Sequence, residues 1–396
     1  MSALHDVAET PSRVVAGLMS GTSLDGVDVV IAKLTGSGSA LQIDQRTFAS
    51  IDYPPALRQS LLRNSRADTS SVRDLSQLNV RLAAVYADAV HQALDQIHLT
   101  PSDLDLVGSH GQTVHHVPDP EDCAGASVTS TLQIGSPSVL ANRLGVPVVG
   151  DFRLADMALG GQGAPLVPYF DYVYFTDPDE TRLLLNLGGI ANFTLLPAGA
   201  APSDVLAFDT GPANMVIDAL AERLFDAPYD PEGSLAAEGT VDNDLLGDLI
   251  NDAYFTQPPP KSTGRERFGA EYVNALLDAA RARGLSPHDT LATATMLTAT
   301  TVYQAYARFV RTEHAADVLI AAGGGLHNDT LVQNLVDCFS PIPVRPAHDY
   351  GLDGDAKEAL CFAVLAHETL NGVPTNLPSV TGAARPTLLG AICVPG

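Results

Sequence analysis

Tryptophan is absent from this 396-residue chain, aromatic residues make up only 6%, and there are four cysteines. Cys123, Cys338, Cys361 and Cys393 stand far apart with no C-x-x-C pair, which excludes a thiolate zinc site and a dense disulfide framework. Reduced thiols in a cytosolic protein are the expectation. Basic residues are scarce: 22 against 46 acidic, a net charge of −24. So acidic a chain repels nucleic acid and anionic membranes, and neither is expected as a partner. No apolar run approaches the ~18 residues of a membrane span. Near the start, His5, Asp6 and Glu9 leave no apolar signal region, so a cytoplasmic protein is expected.

What is present is a globular composition, 45% hydrophobic and 17% charged. The length exceeds one ordinary core and predicts two domains, residues 1–178 and 179–396. Strands alternate with helices, which indicates α/β layers. Residues 14–34 read as strand, Gly/Ser/Thr loop, strand; residues 181–197 repeat that design. Helical spacing covers 54–99, 270–283, 290–313 and 351–370. Residues 117–131 and 257–269 read as loops. The faint echo between the two halves is what duplicated nucleotide-binding domains sharing a cleft would show.

A chain this acidic holds a phosphate compound through backbone N–H groups, a few placed cations and a divalent metal. The loop with Ser20, Gly21, Thr22, Ser23, Asp25 and Gly26 suits phosphate oxygens, and Asp25 or Asp28 suits a metal-bound water; an ordinary hairpin turn explains the same residues. It is not a Walker loop, because the G-K-[ST] ending is missing. Asn186, Gly188, Gly189 and Asn192 form the matching loop of the second half. Asp209, with Gly211, ends a strand before a helix, where it would coordinate Mg²⁺ or cap the helix. Gly323, Gly324, Gly325 and Asn328 follow an apolar strand and permit close approach of a base or ribose. Asp156, next to Gly160-Gly161-Gln162-Gly163, is placed for a general base; Asp151 is the alternative, or orients Arg153, and surface carboxylates near a turn explain the same residues. His110, Gln112 and Thr113 offer hydrogen bonds to a sugar better than a zinc spacing. Lys261 and Arg265 stand out on an acidic chain and would meet phosphate or an acidic sugar substituent, or simply sit on a solvated loop.

GLMSGTSLDGVDVV, GSHGQTVHH, GDFRLADMALGGQGAPLVP, NLGGIANFT, FDTGPANMVIDAL, KSTGRERFG and AAGGGLHN run in order from residue 17 to 328. Together they resemble the anhydro-N-acetylmuramic acid kinase family. The resemblance implies a two-domain α/β fold of the actin-like ATPase, ribonuclease H-like type, with ATP in the interdomain cleft. It implies ATP and Mg²⁺, with Asp25 and Asp209 toward the metal, and a 1,6-anhydro sugar as substrate. Asp156 matches the family's catalytic base; Arg153 and Glu358 are implied sugar contacts, and a homodimer is implied as a family habit. Leu154 and Ala155 stand where the family carries basic residues, and Asp171 where it carries a histidine. A levoglucosan-type kinase shares these motifs, and a non-catalytic ATP sensor shares the fold.

Overall fold

The computed structural model describes residues 7–21 and 24–396. Two compact units emerge: residues 1–174 with 355–396, and residues 175–354.

In the first unit, β1 (Ser12–Ser20), β2 (Gly26–Thr35) and β3 (Gln42–Asp52) form an antiparallel meander. β4 (Leu106–Cys123) runs parallel to β1 and β6 (Val148–Gly150) parallel to β4, while β5 (Ala126–Ile134) pairs with β4 alone. Side chains alternate across a strand. Ala16 and Leu18 of β1 therefore join Leu82, Val85 and Ala89 in one core. The latter sit on α2 (Val72–Asp95), which follows α1 (Pro55–Asn64); Ser71 caps α2 by accepting from the Asp74 N–H at 3.0 Å.

The second unit repeats the plan. β7 (Arg182–Leu187), β8 (Ile190–Leu196) and β9 (Leu206–Pro212) form the meander; β10 (Val318–Ala322) is parallel to β7 and β11 (Val344–Pro346) to β10. The sheet order is β11-β10-β7-β8-β9, matching β6-β4-β1-β2-β3 of the first unit. The echo in the sequence is thus a repeat of topology. Its own core gathers Leu183, Phe193 and Leu319 with residues of α3 (Asn214–Phe225), α4 (Pro287–Phe309) and α5 (Asp329–Phe339).

From Asp355 the chain returns to the first unit. Its helix α6 (Lys357–Leu370) lies on β1, β2 and β4, and β12 (Ala391–Cys393) adds an edge beside β6. The approach is close: a Cβ at Gly17 would stand 2.0 Å from the Ala359 carbonyl oxygen, and one at Gly108 2.0 Å from that of Phe362. Residues 355–396 are therefore not part of a second domain running from 179 to the end. The expected loop at 117–131 is instead a β4–β5 hairpin turning at Ala124-Gly125, both with positive φ. Its two prolines, its charges and its exposure on both faces hide the alternation that marks a strand.

Candidate functional site

Within the first unit, the end of β1 is held by a knot of hydroxyls. Ser20 donates to the Tyr86 oxygen at 2.8 Å and accepts from Tyr53 at 2.9 Å. Gln112, fully buried, accepts from Tyr53 at 3.3 Å and donates to the Gly21 carbonyl at 2.9 Å. Burial raises both tyrosines above their ordinary range, so they stay protonated donors. Ser20 and Gln112 thus brace the first loop through internal hydrogen bonds. Gly26 is required by packing, since a Cβ there would sit 2.5 Å from the Ile51 carbonyl oxygen of β3. Asp25 is exposed. Thr22 and Ser23 lie outside the described residues.

His110 and Arg153 meet directly. Arg153 donates from Nη2 to His110 Nε2 at 2.8 Å and from Nη1 to the Gly163 carbonyl at 2.8 Å. Burial, then the Arg153 charge, hold the His110 imidazole well below its ordinary range, so it is a neutral acceptor toward Arg153. Thr113 accepts from Gln133 of β5 at 3.1 Å. Glu358, in the first turn of α6, reaches solvent yet is hemmed by protein. That crowding raises its carboxyl, against the pull of Lys357 and Arg153. Its neighbour Lys357 forms a buried ion pair of 2.6 Å with Asp171. The Asp171 that departs from the family pattern therefore has its charge answered from α6.

Asp156 has no solvent exposure. Its Oδ2 accepts from the Gly163 N–H at 2.8 Å; its Oδ1 accepts from Asn376 Nδ2 at 2.8 Å and Thr381 Oγ1 at 2.7 Å. The glycine loop does not leave this carboxylate open to an approaching substrate; it closes on it, and a Cβ at Gly161 would overlap Asp156 at 2.2 Å. Asn376 and Thr381 come from the returning C-terminal segment, 220 and 225 residues away in sequence. Sequence reasoning missed them, as it missed Tyr53 and Tyr86, because nothing local marks a partner so distant. Asp151 lies in the left-handed region (φ 59°), exposed and apart from these bonds.

In the second unit the two-glycine loop and α3 lock together. The Gly188 carbonyl accepts from the Asn214 N–H at 3.1 Å, and the Gly189 carbonyl from Ala213 and Met215 at 3.0 and 3.1 Å. The first amides of α3 are thereby occupied and not free for an anion. Asn186 and Asn192 face each other across β7 and β8. Gly211 admits Phe255, which would stand 2.8 Å from a Cβ. Asp209 accepts from the Thr263 N–H at 2.8 Å, and burial raises its carboxyl to about 6. The loop bearing Lys261 clasps β9 instead of reaching outward. Lys261 donates to the Tyr254 carbonyl at 3.0 Å and stacks 4.4 Å from that ring; burial lowers it to about 8.

Gly323, Gly324 and Gly325 have divided duties. Gly323 has φ 93°, a Cβ there would stand 2.9 Å from the Leu187 carbonyl oxygen, and one at Gly325 would meet the Leu187 side chain at 2.6 Å. Gly324 alone has room. With Asn214 and Asn328 it lines a cavity of ≈ 810 Å³ that lies wholly in this unit. The Asn328 side-chain oxygen caps α5 at the Leu331 N–H, 2.9 Å away.

Among the described residues no three His, Cys, Asp or Glu side chains gather to hold a metal unaided. Magnesium carried on phosphate oxygens needs only one or two carboxylates. Asp209 fits that demand, since its Oδ1 accepts no hydrogen bond from the described residues. The buried Thr263 hydroxyl next to it has no hydrogen-bond partner there either. Among the described residues no helix is long and apolar enough to cross a membrane.

Two ribonuclease H-like sheets, each with a glycine loop between its first two strands, define the actin-like ATPase class. Within that class the chain belongs to the anhydro-N-acetylmuramic acid kinase family, whose model matches residues 13–395. The anhydro-N-acetylmuramic acid kinase of Salinibacter ruber is 62% identical over 396 residues, covering all of both chains. That of Caldanaerobacter subterraneus subsp. tengcongensis is 41% identical over 394 residues, 99% of this chain and 100% of its own. Among solved structures, a ROK family glucokinase from Streptomyces griseus in complex with glucose and AMPPNP aligns over 90% of this chain and 99% of its own, at 11% identity and a TM-score of 0.39.

Proposed function

We propose that this protein is an ATP-dependent kinase that opens 1,6-anhydro-N-acetylmuramic acid with water and phosphorylates O6. The products are N-acetylmuramic acid 6-phosphate and ADP, a step of cell-wall recycling in the cytoplasm. The support that carries most is the full-length kinship at 62% identity.

Asp156 serves as general base. Water attacks C1, its proton passes to the carboxylate, and the C1–O6 bond breaks as O6 attacks the γ-phosphorus and ADP leaves. Three hydrogen bonds fix the carboxylate, and Oδ2 keeps a lone pair for that proton. Because no solvent reaches Asp156, the loop 160–163 has to part before the attacking water arrives. Arg153 supplies the cation that the lactyl carboxylate of the sugar requires, oriented by His110, with Thr113 and Glu358 as further sugar contacts. Asp209, with the Thr263 hydroxyl, would hold Mg²⁺, which supplies charge neutralisation at the phosphates.

The test is incubation with Mg-ATP and the anhydro sugar in water labelled with heavy oxygen, beside Asp156→Asn, read by mass spectrometry. A 6-phosphosugar carrying one heavy oxygen, absent with the variant, is expected. Product from levoglucosan alone would overturn the muramyl assignment. Retained ATP binding with silence on both sugars would leave an ATP sensor.

A further inference from the structure

Helix α6 is enclosed on all sides, and one side chain escapes. From Lys357 to Thr369 every residue is buried except Glu358. That single opening is where the helix can reach a ligand, and Glu358 is one of the proposed sugar contacts. Its neighbour sets its direction. Successive helical residues point about 100° apart. Lys357, the first residue of α6, is anchored inward by its 2.6 Å ion pair with Asp171, so the next side chain turns to the open side.

Neither member of that pair has a local reason to be where it is. A lysine at a helix N-terminus opposes the macrodipole, and Ala356 at the N-cap offers no side-chain cap to offset it. Asp171 is the one charge on the apolar helix Val167–Phe175, whose Tyr169, Phe170, Tyr172 and Phe175 are buried. A buried ion pair adds little net stability over apolar side chains of the same volume. What the pair does for a third group explains it better.

That group is Glu358. Burial raises its carboxyl; Lys357 pulls it down, Asp28 of β2 pushes it up, and Arg153, in the loop after β6, pulls it down. Burial also pushes the Cys361 thiol up, and the charges of Asp171, Glu358, Lys357 and Arg153 all bear on it, which places the four in one neighbourhood.

We propose that Asp171 and Lys357 are positioning residues for the sugar site: their ion pair seats the first turn of α6 so that Glu358 accepts from a sugar hydroxyl. Lys357 also keeps that carboxylate ionised, the form that only accepts hydrogen bonds. This deepens the kinase reading above and rests on it.

The experiment is steady-state kinetics of the full chain over pH, with the anhydro sugar and ATP. It compares the unmodified protein, Lys357→Met, Asp171→Leu and the two changes together. Each single change removes the other's counter-charge and should lower the urea midpoint; the apolar pair, of similar volume, should regain it. In the apolar pair the sugar KM should still be about tenfold higher, the scale of a lost charge-assisted hydrogen bond, with the ATP KM unchanged. With the Lys357 charge gone, burial and Asp28 are less opposed, and the Glu358 carboxyl rises. Its ionised form is then lost earlier as pH falls. The acid limb of kcat/KM for the sugar should therefore move up by about one pH unit, the other carboxylates being common to every variant. Lys357→Gln with Asp171→Asn, which keeps a hydrogen bond in place, should move the same limb and decides the matter if the apolar pair does not fold. A parent sugar KM in the apolar pair, or an unmoved acid limb in whichever pair folds, overturns the inference and leaves the ion pair structural. Absence of product from the unmodified protein instead sinks the kinase reading itself.

Discussion

The two units share one sheet order but cover their central strands differently. In the first, β1 and β4 carry glycine where α6 crosses them, and helix backbone rests on strand backbone. In the second, β7 and β10 carry leucine, isoleucine, valine and alanine throughout their buried stretches, and α4 packs on β8 and β9. Close approach fuses the last 42 residues to the first unit, and those residues bring Asn376 and Thr381 to Asp156. The second unit, with no such clamp, keeps an open cavity against its glycine turn. One topology thus yields a tightly built carboxylate in one copy and a ligand-sized void in the other. The deciding variable is side-chain volume on the central strands.

That contrast can be broken at several points. Asp156→Asn should lower turnover by about 10²–10⁴, the usual weight of a general base, while calorimetric ATP affinity stays unchanged. Loss of ATP binding would deny the division of labour. Gly17→Ala should destabilise by about 3 kcal/mol, since backbone at 2.0 Å from the new Cβ cannot yield cheaply. Gly324→Ala, with its nearest neighbour 3.8 Å away, should leave urea unfolding within about 0.5 kcal/mol of the parent. Equal losses from the two would erase the comparison. Tyr86→Phe should cost about 1 kcal/mol in the same assay by removing the acceptor of the Ser20 hydroxyl.

The smallest effect is a pH slope. Asp218 titrates near 6 when folded against an ordinary 3.8, so its contribution to stability is fully present below about pH 4. It is lost as pH rises through about 6, where the buried group must ionise. Melting curves of the nucleotide-free protein should show that decline, and Asp218→Asn should lessen it, leaving the share that Asp209 supplies by the same burial. An unaltered slope would place the titration elsewhere.

Much of the architecture was legible because it is local. A strand, a glycine turn and a returning strand announce themselves at 14–34 and 181–197, and the two meanders stand there. The helix at 72–95 follows from apolar residues at helical spacing. β3 was not distinguished, because its Gln, Asp and Arg residues leave it largely exposed and weakly patterned. The site was legible in position more than in role. Ser20, Gly26, Gln112 and Gly211 were expected to touch ligand; the structure adds that the Ser20 and Gln112 side chains hold internal hydrogen bonds and that Gly26 and Gly211 leave no space for a Cβ. A small or polar residue in a loop looks alike whether its partner is a phosphate or a buried tyrosine.

The sequence by itself determined the α/β alternation, the two glycine loops, the acidic surface and the family. All rest on residues a few positions apart or on motifs read in order. Tertiary structure alone decided that the chain returns after Asp355, that Lys357 answers Asp171, and that Asn376 and Thr381 hold Asp156. It also decided that Asp218 faces a cavity with no partner of its own. Each of these depends on groups distant along the chain meeting within a few ångströms, and only the packed sheets and helices fix which groups those are.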